Sequence, residues 1–131
     1  VANVQITEID GLTVAAITHA QLTTISATAT IADARAYFDA STSRRSAFVV
    51  DGDRYIGSLT PADLPSDADP SAPVLPLARA GATVRPEDPA SIGRDLALAA
   101  SSRRIPVIGR DQRLLGVVAV NRTGEWFCGT G

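Results

Sequence analysis

The chain repeats itself, and a duplicated strand-turn-strand unit restricts its fold more than any other feature. Arg44-Arg45 leads into the apolar run Ala47-Phe48-Val49-Val50, a turn-prone Asp51-Gly52-Asp53-Arg54, and then Tyr55-Ile56-Gly57-Ser58-Leu59. Arg103-Arg104 leads into Ile105-Pro106-Val107-Ile108, Gly109-Arg110-Asp111-Gln112, and then Leu114-Leu115-Gly116-Val117-Val118. Gly57 and Gly116 stand 59 positions apart and Val49 and Val107 stand 58 apart, so one extra turn residue accounts for the difference. Chance does not easily return the same Arg pair and the same glycine. This is a duplication.

The match extends upstream. Ile31, Ala34 and Phe38, and later Ile92, Leu96 and Ala99, have helical spacing before each unit. Thr30 with Asp33 three residues on predicts a capping box, and Asp88 before Pro89 predicts an N-cap with proline at the first helical position. Short β-prone stretches, Leu22-Thr23-Thr24-Ile25 and Ala82-Thr83-Val84, precede the helices. Each half therefore reads strand, helix, strand, turn, strand, and the first half adds a short helix after Thr60. The apolar runs 47–50 and 114–120 do not alternate, which suits strands covered on both faces. Residues 65–73, with Pro65, Pro70 and Pro73 and no large apolar side chain, read as a linker. Asp10-Gly11 predicts a turn in residues 1–12, which stand outside the repeat. The expected organisation is repeat 1 over 13–64, linker over 65–73, repeat 2 over 74–124 and a tail over 125–131. Neither repeat, at about 55 residues, buries enough surface to be comfortable alone.

Composition narrows the function classes. At 131 residues, 45% apolar and 20% charged, the chain is an ordinary globular domain in bulk. A net charge of −2 lacks the basic footprint of a nucleic-acid or anionic-membrane binder. One Cys and one His are too few for a disulfide framework or a self-contained zinc cluster. No apolar run reaches the roughly 20 residues that span a bilayer, and no signal-peptide pattern opens the sequence. The cytoplasm is the expected compartment.

The tandem unit, with Val-Asp-Gly-Asp-Arg-Tyr-Ile-Gly followed by Thr-x-x-Asp, resembles the cystathionine-β-synthase-type (CBS) domain. The stretch VVDGDRYIGSLTPADL, Val49 to Leu64, carries most of the resemblance, and IPVIGRDQRLLGVVAV, Ile105 to Val120, is similar to the equivalent stretch of a second copy. The likeness covers about residues 13 to 124. It implies an α/β fold in which two β-α-β-β-α repeats pack as a pseudo-two-fold pair. It also implies binding of an adenosine-containing ligand (AMP, ADP, ATP or S-adenosylmethionine), association as a homodimer, and regulation of a partner protein whose identity is open.

Gly57-x-x-Thr60-x-x-Asp63 matches the family's ribose-phosphate signature. A carboxylate accepts both hydroxyls of a ribose, and a hydroxyl at a helix start sits beside backbone N–H groups suited to phosphate. Thr60-Pro61-Ala62-Asp63 is equally a good helix start with no ligand at all. The resemblance further nominates Thr24, Ile25 and Ala47 as the lining of an adenine pocket; for Ile25 the plainer reading is core. Arg44 and Arg45, and likewise Arg103 and Arg104, suit either a phosphate or solvent. In the second copy the Thr and Asp positions hold Ala119 and Arg122, with Asn121 one place early, so that site is expected to be degenerate.

Three other signals stand apart from the repeat. His19 has no catalytic partners in sequence, and Cys128 lacks the basic surroundings of a reactive thiol, with Glu125 nearby. Trp126 and Phe127 are expected to pack the tail onto the body or onto a second subunit. Gly129-Thr130-Gly131 has neither the Lys nor the helix of a phosphate loop. No pair of titratable groups suggests catalysis. The expected function is a stand-alone regulatory module sensing an adenosine nucleotide, with a ligand-free dimerisation or interaction module as the alternative.

Overall fold

A computed structural model describes residues 4–20, 24–42 and 44–128. The β-prone Leu22-Thr23 and the tail Gly129-Thr130-Gly131 lie outside them. The fold is mixed α/β, as expected, and its contacts form two compact units: residues 23–81, and residues 1–22 together with 82–131.

In the unit of residues 23–81, β1 (Thr24–Ser26) pairs parallel with β2 (Ala47–Asp51), which pairs antiparallel with β3 (Arg54–Leu59). The first four residues of β2 are all buried, which is why this run does not alternate. Helix α2 (Ile31–Asp39) begins at the predicted capping box: Asp33 N donates to Thr30 Oγ1 at 3.2 Å and Thr30 N donates to Asp33 Oδ2 at 3.0 Å. Ile31 and Ala34 on its inner face join Ile25, Ala47, Val49, Leu59 and Val74 in one core.

Residues 65–73 do more than connect. The first N–H groups of a helix have no partner within it. In α2 those donors, Ile31 N and Ala32 N, give hydrogen bonds to Ala72 O and Pro70 O, both at 2.9 Å. Arg35 Nη2 donates to Pro65 O at 2.7 Å, and Val74, immediately downstream, is fully buried. A proline-rich segment with no large apolar side chain thus caps a helix through its carbonyls.

The other unit repeats this device with residues from the start of the chain. Helix α1 (Val14–Ile17) packs on α3 (Ala90–Ala99), and β4 (Arg104–Ile108) pairs antiparallel with β5 (Leu114–Ala119). Ala90 N donates to Leu12 O at 3.0 Å, as Ile31 N does to Ala72 O sixty positions later in the acceptor. The Asp10-Gly11 turn forms, with Gly11 at φ 74 and Leu12 N donating to Ile9 O at 3.0 Å. Residues 82–84 contribute a single parallel bridge, Val84 to Val107, where a strand is expected. The N-cap of α3 is Pro89 and not Asp88, because Asp88 Oδ2 accepts from Arg85 N at 2.9 Å and closes the preceding turn.

The β4–β5 turn holds a stored cost. Asp111 and Gln112 lie at φ 56 and 62, in the left-handed region, with Arg113 N donating to Arg110 O at 3.0 Å. Aspartate tolerates this backbone because its short side chain bonds locally, whereas glutamine has no such relief. Gln112→Gly is expected to stabilise the chain by about 1 kcal/mol, read as a higher urea midpoint at unchanged slope.

Candidate functional site

Parallel pairing of β1 with β2 and antiparallel pairing of β2 with β3 bring three chain ends together. Thr24 pairs with Phe48, Ala47 pairs with Leu59, and Thr60 follows directly. Thr24, Ala47, Thr60 and Asp63 therefore share one end of the three-stranded sheet.

The element after Thr60 is a three-residue 3₁₀ turn, Pro61–Asp63, shorter than the expected helix. Its importance is the placing of Asp63. Asp63 Oδ2 accepts from Thr60 N at 2.8 Å and from Thr60 Oγ1 at 3.0 Å. Asp63 Oδ1 accepts from Arg79 Nε at 2.9 Å. The Asp63 side chain is only 12% exposed, whereas that of Arg79 is 78% exposed. Such an arrangement offers a nearly buried carboxylate and, against it, a solvent-facing guanidinium.

Arg79 was not legible as a site residue in the sequence. Its backbone is fixed by two hydrogen bonds with Ser58, N to O at 2.9 Å in each direction. Gly57 eases that approach: a Cβ there would lie 3.1 Å from both the carbonyl carbon and oxygen of Arg79, so the neighbour would have to give by a few tenths of an ångström. The repeat's glycine is thus a spacing device that delivers Arg79 to Asp63. Ser58 also bonds the Tyr55 hydroxyl at 2.7 Å. Burial pushes the Tyr55 hydroxyl above its ordinary pKa, and the bond to Ser58 pulls it partly back.

The other nominated residues divide. Thr24 is exposed, whereas Ile25 and Ala47, at 5% and 1% exposure, are members of the core. Arg44 stacks over Tyr37, its guanidinium carbon 4.5 Å from the ring centre, and Nη1 donates to Tyr37 O at 2.9 Å. That arginine fastens the end of α2. Arg45 and Arg104 are half-buried, with Arg104 Nε having no partner among the described residues. Arg103, at φ 58, accepts from Val120 N through its carbonyl.

The second copy has no counterpart of the Thr60–Asp63 turn. Beyond β5, Asn121 Oδ1 accepts from Thr123 Oγ1, Glu125 N and Trp126 N at 3.0, 3.2 and 3.3 Å. Asn121 organises a turn that sends the chain back, so that Phe127 pairs with Val120 and lies fully buried. Cys128 is half-buried, its N donating to Ala119 O at 2.7 Å. The described residues contain no group of three or more potential metal ligands and no helix long and apolar enough to cross a membrane.

Comparison with known proteins gives the geometry a context. Residues 14–64 match the CBS domain family. None of the curated proteins matches the chain. Among solved structures it is similar to the cystathionine beta-synthase pair domain of a Shewanella oneidensis MR-1 protein, 25% identical, covering 78% of this chain and 61% of that one, with a TM-score of 0.64. It is similar to a Methanocaldococcus jannaschii protein, 28% identical, covering 82% of this chain and 55% of that one, with a TM-score of 0.65. The chain thus spans less than two thirds of either. The CBS-pair protein CBSX2 from Arabidopsis thaliana shares the fold, at 19% identity over 87% of this chain and 91% of that one, with a TM-score of 0.73. A second structure of CBSX2, with a TM-score of 0.70, is a complex with AMP.

Proposed function

We propose that this chain, which carries a CBS domain over residues 14–64 and has the fold of a CBS-domain pair, is a regulatory module that binds an adenosine nucleotide at Asp63. Residues 13–64 and 74–124 are its two copies, and it acts in the cytoplasm as a homodimer that signals to a protein partner rather than as an enzyme. The observation that carries the reading is the Asp63 carboxylate, nearly buried at one end of a sheet, beside Thr60 and the solvent-facing guanidinium of Arg79. A carboxylate accepts both hydroxyls of a cis-diol, and a guanidinium pairs with phosphate. CBSX2, of the same fold, has been solved with AMP, which supports the ligand class. Thr24 and Ala47 lie at the same end of the sheet, and Ile25 and Ala47 belong to the core of the same unit; with Thr24 they are the residues assigned to the adenine side of the site. Only one such site is proposed, because Ala119 and Arg122 replace the Thr and Asp of the second copy.

A second reading has its own observation. Both oxygens of Asp63 already have partners within the chain, as a ligand-free interaction module would require. Thermal unfolding against AMP, ADP, ATP and S-adenosylmethionine separates the two. A ligand at 100 times its Kd adds about 2.7 kcal/mol to stability, a shift of several degrees. At least one of the four is expected to give such a shift at millimolar concentration, and Asp63→Asn, which keeps the shape but loses an acceptor, is expected to abolish it. No shift with any of them, together with a dimer in light scattering that no nucleotide alters, would decide for the interaction module.

A further inference from the structure

The partners of Asp63 define what kind of ligand can take their place. A carboxylate offers about four acceptor directions. Three are occupied: by Thr60 N and Thr60 Oγ1 on Oδ2, and by Arg79 Nε on Oδ1. A cis-diol donating two hydrogen bonds needs two. One donor must therefore leave before a ribose can bind in full.

Thr60 N cannot leave, being backbone at the start of the 3₁₀ turn. Thr60 Oγ1 leaves only by rotating within a half-buried site. Arg79 is held differently. Its backbone is pinned to Ser58, but its side chain is 78% exposed, and among the described residues Asp63 is its partner. An exposed ion pair contributes little, so swinging the guanidinium aside costs little by itself. What costs more is leaving a carboxylate of 12% exposure without its neutralising cation. The diol supplies hydrogen bonds but no positive charge.

We infer that Arg79 is a latch on Asp63 that a nucleoside phosphate opens and a neutral nucleoside does not: the guanidinium transfers from Asp63 to the phosphate of the incoming ligand, staying beside the carboxylate it releases. The ligand class is then an anionic cis-diol. A ligand with the diol alone breaks the ion pair and returns nothing to Arg79. S-adenosylmethionine is disfavoured for a related reason: its net charge is positive, and its one carboxylate comes with an ammonium on the same carbon and a sulfonium nearby, so it offers the guanidinium less than a phosphate does. This inference rests on the reading of Asp63 as a ribose-binding group, and assigns to Arg79 the choice between ligands that share that ribose.

Calorimetric titration of the full chain with AMP and with adenosine tests it, using the wild type, Arg79→Gln and Arg79→Lys. Circular dichroism confirms that each variant is folded. The wild type is expected to bind AMP at least tenfold more tightly than adenosine. Arg79→Gln is expected to bring that ratio to within about threefold of unity, and Arg79→Lys, which keeps a charge able to reach phosphate, to restore most of it. AMP binding with the same ratio in wild type and Arg79→Gln overturns the latch and leaves the Asp63 site standing. Binding of neither ligand by the wild type overturns the site, and the latch with it.

Discussion

Phe127→Ala is expected to destabilise the unit of residues 1–22 and 82–131 by about 3–5 kcal/mol, the cost of removing a large, fully buried aromatic ring. Phe127 has no exposed surface and lies in a core with Ile9, Val14, Ile17, Val84, Val107 and Val118. It is held there by its N–H to Val4 O at 2.9 Å and by its bridge to Val120. The position therefore joins the chain's first described residues to its last. The ring's loss leaves a cavity among β-branched side chains, whose restricted rotamers limit how far they can close over it. Urea unfolding followed by tryptophan fluorescence reads this unit selectively. The chain has one Trp, Trp126, which lies in this unit, whereas Tyr37 and Tyr55, its only tyrosines, lie in the other. A loss below about 1 kcal/mol would mean that the tail does not complete this core.

Gly116→Ala is expected to cost about 3 kcal/mol, at the upper end of overpacking effects. A Cβ at Gly116 would collide with Thr18 Cγ2 and would lie 2.7 Å from His19 O. The methyl could rotate away, but the carbonyl is backbone. It also accepts from Val117 N at 3.0 Å, while His19 N donates to Val117 O at 2.8 Å. Relief of the clash must therefore break the pairing of residues 18–19 with β5. The matched glycine provides the control. At Gly57 the closest approach is 3.1 Å, which a shift of a few tenths of an ångström relieves, so Gly57→Ala is expected to cost about 1 kcal/mol. Equal losses from the two substitutions, measured by urea unfolding, would show that the closeness of the neighbouring segment is not what makes a glycine necessary at either position.

Those two glycines also show how much of this molecule was legible in its sequence. Their separation revealed the duplication, yet nothing local to either explains why a glycine is needed. The partner in each case comes from a distant stretch: residues 78–79 against Gly57, residues 18–19 against Gly116. Hydrophobic periodicity and turn chemistry located α2, α3 and the four strands of the two hairpins, because each is set at short range. The face that α3 turns inward differs from the one its spacing predicts: it buries Ala90, Gly93 and Ala97 and leaves Ile92 and Ala99 exposed. The strand expected at 82–84 shrank to one bridge, and Asp88 left the N-cap to close a turn, where neighbouring geometry outweighed local preference. In the candidate site, Thr60 and Asp63 were legible through their spacing from Gly57. Arg79 was not, since it stands 16 positions beyond Asp63 and reaches it through a backbone pairing that no motif records.

Apolar runs and turn residues act at short range, and they are enough to dictate two similar β-hairpins, each preceded by a helix. Which segment completes each of them is settled by the path of the folded chain. Residues 70–74 supply the carbonyls and apolar side chain that finish the first, and residues 12–17 do so for the second. Helix N-termini, strand edges and buried carboxylates all need partners, and any carbonyl, N–H or cation delivered at the right distance will serve. Such needs are visible residue by residue. Which distant residue meets them depends on where the folded chain passes, and that is how an exposed arginine came to guard Asp63.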